Sequence, residues 1–247
     1  MADKAAVLIL GGTRDALDLA AALDGRFDVV TSLAGRTSTP AQPRGRLRVG
    51  GFGGAVGMAK YLRSENIALA IDATHPFAAR ISANAAAACA ETRTPRLVLA
   101  RPQWQPEAGD NWIDVASPEE AASGLAALGN RVFLSVGRQD LGCFAECEGV
   151  WFLLRTIEPL GDDVPLGAHE AIVGRGPFPH DNELALLERH EIDLVVSRNS
   201  GGAATRGKLS AARVLGLPVV MIRRPPAPEG DVVDAVEPAV RWVEAAF

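Results

Sequence analysis

The sequence predicts an α/β protein of two parallel-sheet domains with a ligand cleft between them. Three observations lead there. Short apolar runs alternate with Ala-rich helical stretches along all 247 residues, the pattern of βαβ units. That alternation breaks at Arg101–Asn111, which holds two prolines, a glycine and little periodicity, so the expected division is 1–110 and 111–247. The third is an internal likeness. IDATHPFAARISANAAAACAETRTPRLVLARP, from Ile71, parallels VSRNSGGAATRGKLSAARVLGLPVVMIRRP, from Val196, each running strand, polar turn, Ala-rich helix, strand and Arg-Pro. Any two βαβ units share that order, so duplication and coincidence both stay open. Two Rossmann-like halves facing each other would leave the kind of cleft that ligands occupy.

The elements follow in order. Ala6–Leu10 is an unbroken apolar run and reads as the first strand, and Asp15–Leu23 follows with apolar positions at helical spacing. Asp28–Leu33 and Arg46–Val49 read as the next strands, the second running into a Gly-rich turn and a helix from about Ala55 to Ser64. Ala68–Asp72 is a fourth strand, Ala78–Glu91 its helix and Pro95–Ala100 a fifth strand. Ser117-Pro118-Glu119-Glu120 starts a helix: a hydroxyl cap, proline at the first helical position, then acids favoured by the helix dipole. Strands resume at Val132–Val136, Val150–Leu154, Ala171–Val173, Asp193–Ser197 and Pro218–Ile222. Asp231–Ala235 is a candidate last strand, and Pro238–Ala246 reads as a closing helix.

Composition narrows the function classes. Hydrophobic residues make up 48% and charged residues 22%, which argues against a disordered chain. A formal charge of -5 argues against a broad basic surface for nucleic acid. The early apolar run Val7–Leu10 is too short for a signal peptide or a membrane span. Cys89, Cys143 and Cys147 cannot build a disulfide framework. The expectation is a soluble, reduced, cytoplasmic protein, a monomer or small homo-oligomer, without membrane or nucleic-acid partners.

Gly11-Gly12-Thr13 follows the first strand and opens a helix, where backbone N–H groups can approach a pyrophosphate at the helix's positive end. The full GxGxxG fingerprint is absent, since Thr13 and Ala16 stand at its second and third glycines. A tight strand–helix turn explains the motif equally well. After the second strand, where an NAD site carries an acid, the chain has Ser32-Leu33-Ala34-Gly35-Arg36-Thr37. A guanidinium and two hydroxyls suit a 2′-phosphate, which favours NADP over NAD. Gly50-Gly51-Phe52-Gly53-Gly54 suggests a backbone that a flat ligand approaches closely, with Phe52 as a lid. Asp72-Ala73-Thr74-His75 lies near the carboxyl edge, and a histidine beside an acid can move protons near neutral pH. A histidine shaping a helix start is the commoner case.

Other chemistries drop out. The sole tyrosine, Tyr61, has Glu65 and not lysine four residues on; no Gly-x-Ser-x-Gly elbow or P-loop lysine motif occurs. Cys143 and Cys147 lack zinc partners, and His169-Glu170 lacks a second histidine, so no metal site is expected. The second half is different in character. Arg138, Arg155 and Arg175 precede Ser197-Arg198-Asn199-Ser200-Gly201-Gly202, with Thr205, Arg206 and Lys208 after it. Strand-end turns of this kind suit anionic oxygens, and in an acidic protein they point to a polycarboxylate or phosphate ligand.

LILGGTRDALDLA, SLAGRTSTP, RVGGFGG, DATHPFAARISANAAAAC and SRNSGGAATRGKLSAAR, in this order, resemble the precorrin-6A reductase family of cobalamin biosynthesis. The likeness runs from Val7 to about Pro225. It implies NADPH-dependent reduction of the precorrin-6A macrocycle to precorrin-6B, with cofactor on domain 1–110 and the anionic tetrapyrrole on the side of domain 111–247. Carried over by motif, Gly11, Gly12, Thr13, Ser32, Gly35, Arg36, Gly51, Gly53 and Thr74 become cofactor-binding candidates. Arg14, Ala34, Phe52, Gly54 and Asp72, from the same turns, complete that set. Asn199, Ser200 and Lys208 become substrate-side candidates, joined by Arg198, Gly201 and Arg138. His75 is the candidate proton donor. Asp15 stands where the family more often has glutamate, which leaves that acid's contact open. Reduction of a conjugated double bond adds hydride to one carbon and a proton to its neighbour, so no catalytic triad is required. The competing readings are a non-enzymatic NADP-binding sensor and a pyridine-nucleotide enzyme for another substrate. The residues do not choose between a cobalt-free and a cobalt-containing macrocycle.

Overall fold

In the computed structural model, residues 4–35, 41–161 and 163–247 are described. The first strand, β1 (Ala6–Leu10), is buried at every position, as a central strand covered on both faces must be. Helix α1 (Arg14–Leu23) buries Ala16, Leu19, Ala20 and Leu23, one face at helical spacing. Then come β2 (Asp28–Leu33), β3 (Arg46–Val49), α2 (Gly54–Ser64), β4 (Ile67–Asp72), α3 (Ala79–Thr92) and β5 (Arg96–Leu99). The chain continues through β6 (Asn111–Val115), α4 (Pro118–Ser123), β7 (Arg131–Ser135), β8 (Trp151–Thr156) and β9 (Ala168–Val173). It proceeds through α5 (His180–Arg189), β10 (Leu194–Arg198), α6 (Gly207–Val214) and β11 (Pro218–Ile222), and closes with β12 (Asp231–Val233) and α7 (Val236–Glu244). Ser117 caps α4 as its sequence predicts: its hydroxyl accepts the Glu120 amide at 3.2 Å, and Glu120 reaches back to the Ala116 amide at 2.6 Å.

Two six-stranded parallel sheets result, in the orders β12-β5-β4-β1-β2-β3 and β6-β11-β10-β7-β8-β9. The orders match position for position, with β7 standing where β1 stands and β10 where β4 stands. Each sheet therefore reverses direction beside its central strand, between β1 and β4 or between β7 and β10. Open α/β sheets bind ligands at such a reversal, outside the carboxyl ends of the strands.

The division of the chain differs from the expected 1–110 and 111–247. One unit takes the chain up to Pro102 together with Pro225–Phe247; the other is Gln103–Arg224. The cause is pairing: Asp231, Val232 and Val233 add in parallel to Leu97, Val98 and Leu99. Ala239 and Val243 of α7 are then buried in one cluster with Leu19 and Leu23 of α1. Strand β6, which precedes β7, fills in the second sheet the outer place that β12 fills in the first. No helix among the described residues is long and apolar enough to cross a membrane.

Candidate functional site

The first unit's direction reversal is built from the turns after β1 and β4. Leu10 and Asp72 are paired residues at the ends of those strands. The Gly11 amide donates to the Ser32 carbonyl at 2.9 Å, and a Cβ at Gly11 would stand 2.9 Å from Thr31 Cγ2. Glycine is therefore needed for close approach at this point. Gly12 has φ +109°, outside the range a side chain tolerates. Thr13 caps α1 by accepting the Ala16 amide at 3.1 Å, and its hydroxyl donates to the Ala73 carbonyl at 2.7 Å. That hydroxyl spends its one donor in joining the two turns, and the first N–H groups of α1 have no partner within the helix. Arg14 is exposed and pairs with Asp18 one turn along the helix. Asp15, in the first turn, pairs with Arg101 at 3.3 Å, which offsets a negative charge at the helix start.

At the end of β4, Asp72 is 3% exposed. Its Oδ1 accepts the Thr74 amide at 3.1 Å and the Thr74 hydroxyl at 2.7 Å, while its Oδ2 is buried with no hydrogen-bond partner among the described residues. A buried carboxylate oxygen without a donor is costly and marks a place where one is missing. His75 follows, with Nδ1 accepting the Phe77 amide at 3.3 Å, so the proton of the neutral ring lies on Nε2.

Ser32, at the end of β2, is buried, and Ala34 and Gly35 continue from it. Arg36, the predicted 2′-phosphate ligand, lies outside the described residues. Beside Ser32, β3 carries a further arginine that was not among the sequence candidates. Arg48 pairs with Ser32 across β3 and β2. Its Nη1 donates to Ser32 Oγ at 3.2 Å and to the Gly50 carbonyl at 2.6 Å, and its Nη2 donates to the Gly51 carbonyl at 2.9 Å. The guanidinium lies 3.8 Å over the Phe52 ring. Phe52 also packs edge-on against Tyr61 at 5.3 Å. Phe52 is thus a shelf under Arg48. Gly53 and Gly54, at φ +80° and +84°, turn the chain into α2.

In the second unit the equivalent turns are filled from within. Ser135 and Ser197 are the paired strand ends of β7 and β10. Arg198 packs its guanidinium against Gly137 and pairs with Asp140 at 3.4 Å. Burial lowers the Arg198 pKa, and Asp140 raises it in part. Arg155 forms a bidentate pair with Glu183 at 2.6 and 2.8 Å and lies 3.9 Å over Phe178; Glu183 is 2% exposed. Arg138 is exposed and donates to the Pro159 carbonyl at 3.2 Å.

Trp104 organises the Ser197–Gly202 segment. Its amide donates to Asn199 Oδ1 at 2.8 Å, Asn199 Nδ2 donates to its carbonyl at 3.0 Å, and its indole donates to the Gly202 carbonyl at 2.9 Å. Lys208 Nζ sits 4.9 Å from the Trp104 ring and donates to the Thr205 carbonyl at 2.8 Å. Burial lowers the Lys208 pKa to about 7; Glu183 opposes the shift, and Arg155 and Arg198 add to it. Arg224 donates to the Asn199 and Ser200 carbonyls at 3.4 and 3.1 Å, and Gly201 and Gly202 have φ +69° and +84°. The side chains of Asn199 and Lys208 thus hold their own segment in shape. Trp104 fell within the stretch set aside as a domain boundary, and a lone tryptophan between two prolines was the signal available for it.

The chain matches the family model described as Precorrin-6x reductase CbiJ/CobK over residues 6–244. It is 47% identical over 241 residues to the precorrin-6A reductase of Rhodococcus erythropolis, covering 96% of each chain. It is 28% identical over 246 residues to the cobalt-precorrin-6A reductase of Priestia megaterium, covering 95% of this chain and 96% of that one. The solved structure of CobK precorrin-6A reductase superposes with a TM-score of 0.93 at 41% identity, covering 98% of this chain and 97% of that chain. Strand order, the turns at the first reversal and these full-length matches agree: the chain belongs to the precorrin-6x reductase family, whose members are oxidoreductases.

Proposed function

We propose that this chain reduces precorrin-6A, in its cobalt-free form, to precorrin-6B with NADPH as hydride donor. The observation that carries the cofactor half is the first reversal point: the first turn of α1 beside a buried Asp72 oxygen that no described residue donates to. The fit to a dinucleotide is chemical. The α1 first turn offers backbone N–H groups to a pyrophosphate, and Asp72 Oδ2 offers an acceptor to a ribose hydroxyl. Gly11, Gly12 and Thr13 bring the backbone close, and Arg36 would take the 2′-phosphate through a fork of donors. The higher identity to the cobalt-free enzyme, 47% against 28%, supports the substrate form.

When bound, NADPH supplies the hydride. The chain's own residues supply orientation and a proton. Thr13 locks the turns after β1 and β4 into one surface. His75, protonated to the imidazolium when it acts, would give a proton from Nε2 to the carbon beside the one reduced and be left as the neutral ring. Arg138, exposed in the second unit, would present a cation to the substrate's carboxylates, while Arg198, held by Asp140, and the Trp104 bonds keep Ser197–Gly202 rigid.

The deciding experiment follows NADPH absorbance when precorrin-6A or its cobalt complex is added. Fast oxidation with the cobalt-free macrocycle, and little with NADH, is expected. Tight NADPH binding without turnover would return the chain to the sensor reading. His75→Ala should lower turnover about a hundredfold with coenzyme affinity intact. Near-normal turnover would leave His75 only a role in shaping its turn.

A further inference from the structure

We propose that Arg48 is a second determinant of coenzyme choice, holding a positive charge ready for the phosphate on the adenosine ribose. The proposal rests on the NADPH reading above and adds a residue to it. Two arginines of β3 show what is unusual. Arg46, at the start of the strand, is neutralised by Asp28 at 2.8 Å and Glu65 at 3.3 Å. Arg48 is paired with no acid among the described residues. Its partners are a hydroxyl, two carbonyls and an aromatic face, all neutral. These contacts fix the guanidinium in place without cancelling its charge. A cation organised in this way suits an anion that comes from outside the chain, because little side-chain entropy remains to be lost on binding.

Position identifies the anion. Arg48 stands opposite Ser32 at the carboxyl ends of β3 and β2. In a doubly wound nucleotide-binding sheet, the group at the end of β2 reads the adenosine ribose: an acid there takes the 2′-hydroxyl, a nearby arginine the 2′-phosphate. In this chain the acid is replaced by Ser32, whose hydroxyl accepts from Arg48 itself. The fork keeps N–H donors that its bonds to described residues leave unused. The ring of Phe52 backs the guanidinium on one face, 3.8 Å away.

The test compares adenosine 2′,5′-bisphosphate with adenosine 5′-monophosphate by titration calorimetry, since the two differ only in the 2′-phosphate. Wild type should bind the bisphosphate more tightly. Arg48→Gln should cut that preference about tenfold while changing monophosphate affinity little. Arg48→Lys keeps the charge but not the fork, and should restore part of the preference; if Arg48→Gln does not fold, Arg48→Lys carries the test through a smaller loss. Equal losses for both nucleotides would overturn the proposal and leave Arg48 as a support for the glycine turn. An unchanged preference in Arg48→Gln or Arg48→Lys, with its loss in Arg36→Ala, would assign the phosphate to Arg36 alone. A wild type indifferent to the 2′-phosphate would defeat the NADPH reading, and this proposal with it.

Discussion

The two sheets share one strand order and differ at their carboxyl edges. In the first, Thr13 bridges the turns through a single hydroxyl, and among the described residues Asp72 has a buried oxygen without a donor and Arg48 has only neutral partners. In the second, Arg198 lies against Gly137 and pairs with Asp140, Arg155 is clamped by Glu183, and Asn199 grips the Trp104 backbone. Gly137 stands where Gly12 stands in the first unit, as the second residue after the central strand, so a guanidinium occupies the ground that the first unit leaves open. The same scaffold thus gives one edge where Arg48 has only neutral partners among the described residues and one where Arg155 and Arg198 are paired with acids. A count of polar residues would rank the second edge as the richer binding site. Hydrogen-bond accounting separates groups that can meet a ligand from groups already engaged in holding the edge together.

The sharpest way to break this comparison is to remove the acid that clamps Arg155. The Arg155 and Glu183 side chains are 12% and 3% exposed, so Glu183→Ala would strand a buried guanidinium beside Lys208. Loss of one partner from a buried pair costs about 3–5 kcal/mol. Urea unfolding should show that loss in the cooperative transition. A change below about 1 kcal/mol would mean the second edge is no more self-supporting than a solvated surface.

Much of the fold could be read ahead of the coordinates, for identifiable reasons. Strands β1, β2, β3 and β11 match their predicted limits because short apolar or alternating segments bounded by glycine, aspartate or proline leave few alternatives. The return of residues 225–247 to the first sheet was not readable. A three-residue strand such as Asp231–Val233 reads the same beside any partner, and its place is decided by hydrogen bonds to β5, far away in sequence. At the site, the glycine turns and Asp72 were legible from their positions after strands. Arg48 was not, since two arginines alternating along β3 look alike until Asp28 and Glu65 are seen to neutralise only Arg46. Asn199 and Lys208 were legible as special residues, yet their engagement with Trp104 and its segment depends on contacts that no local pattern encodes.

Lys208 offers a test through pH. Its folded pKa, about 7, lies below the unfolded value near 10.4, so between those values the unfolded chain binds more protons than the native one. Stability from this group therefore rises with pH across that window and is lowest below it. Relative to Lys208→Met, the wild type should gain about 2 kcal/mol between pH 7 and pH 9. Thermal unfolding of both proteins at the two pH values gives the difference directly. A gap that stays constant would mean the ammonium keeps its charge in place, stabilised by the Trp104 ring and the Thr205 carbonyl.

The smallest effect is expected at the far end of β3, where Arg46 meets Asp28 and Glu65. These side chains are 50%, 39% and 37% exposed, so water and salt screen the attraction that raises the Arg46 pKa. Asp28→Ala should cost no more than about 1 kcal/mol, because an exposed pair gains little over two hydrated ions. Glu65 also remains to accept from Arg46 Nη1. Raising the ionic strength from 0.05 to about 1 M should erase most of that cost, since the screening length falls to about 3 Å. The same salt series on Glu183→Ala should leave its larger loss nearly intact, because its pair is shielded from solvent. If Asp28→Ala instead cost as much as Glu183→Ala, or resisted salt equally, the contrast between an open edge and a filled one would have to be replaced by a uniform electrostatic frame.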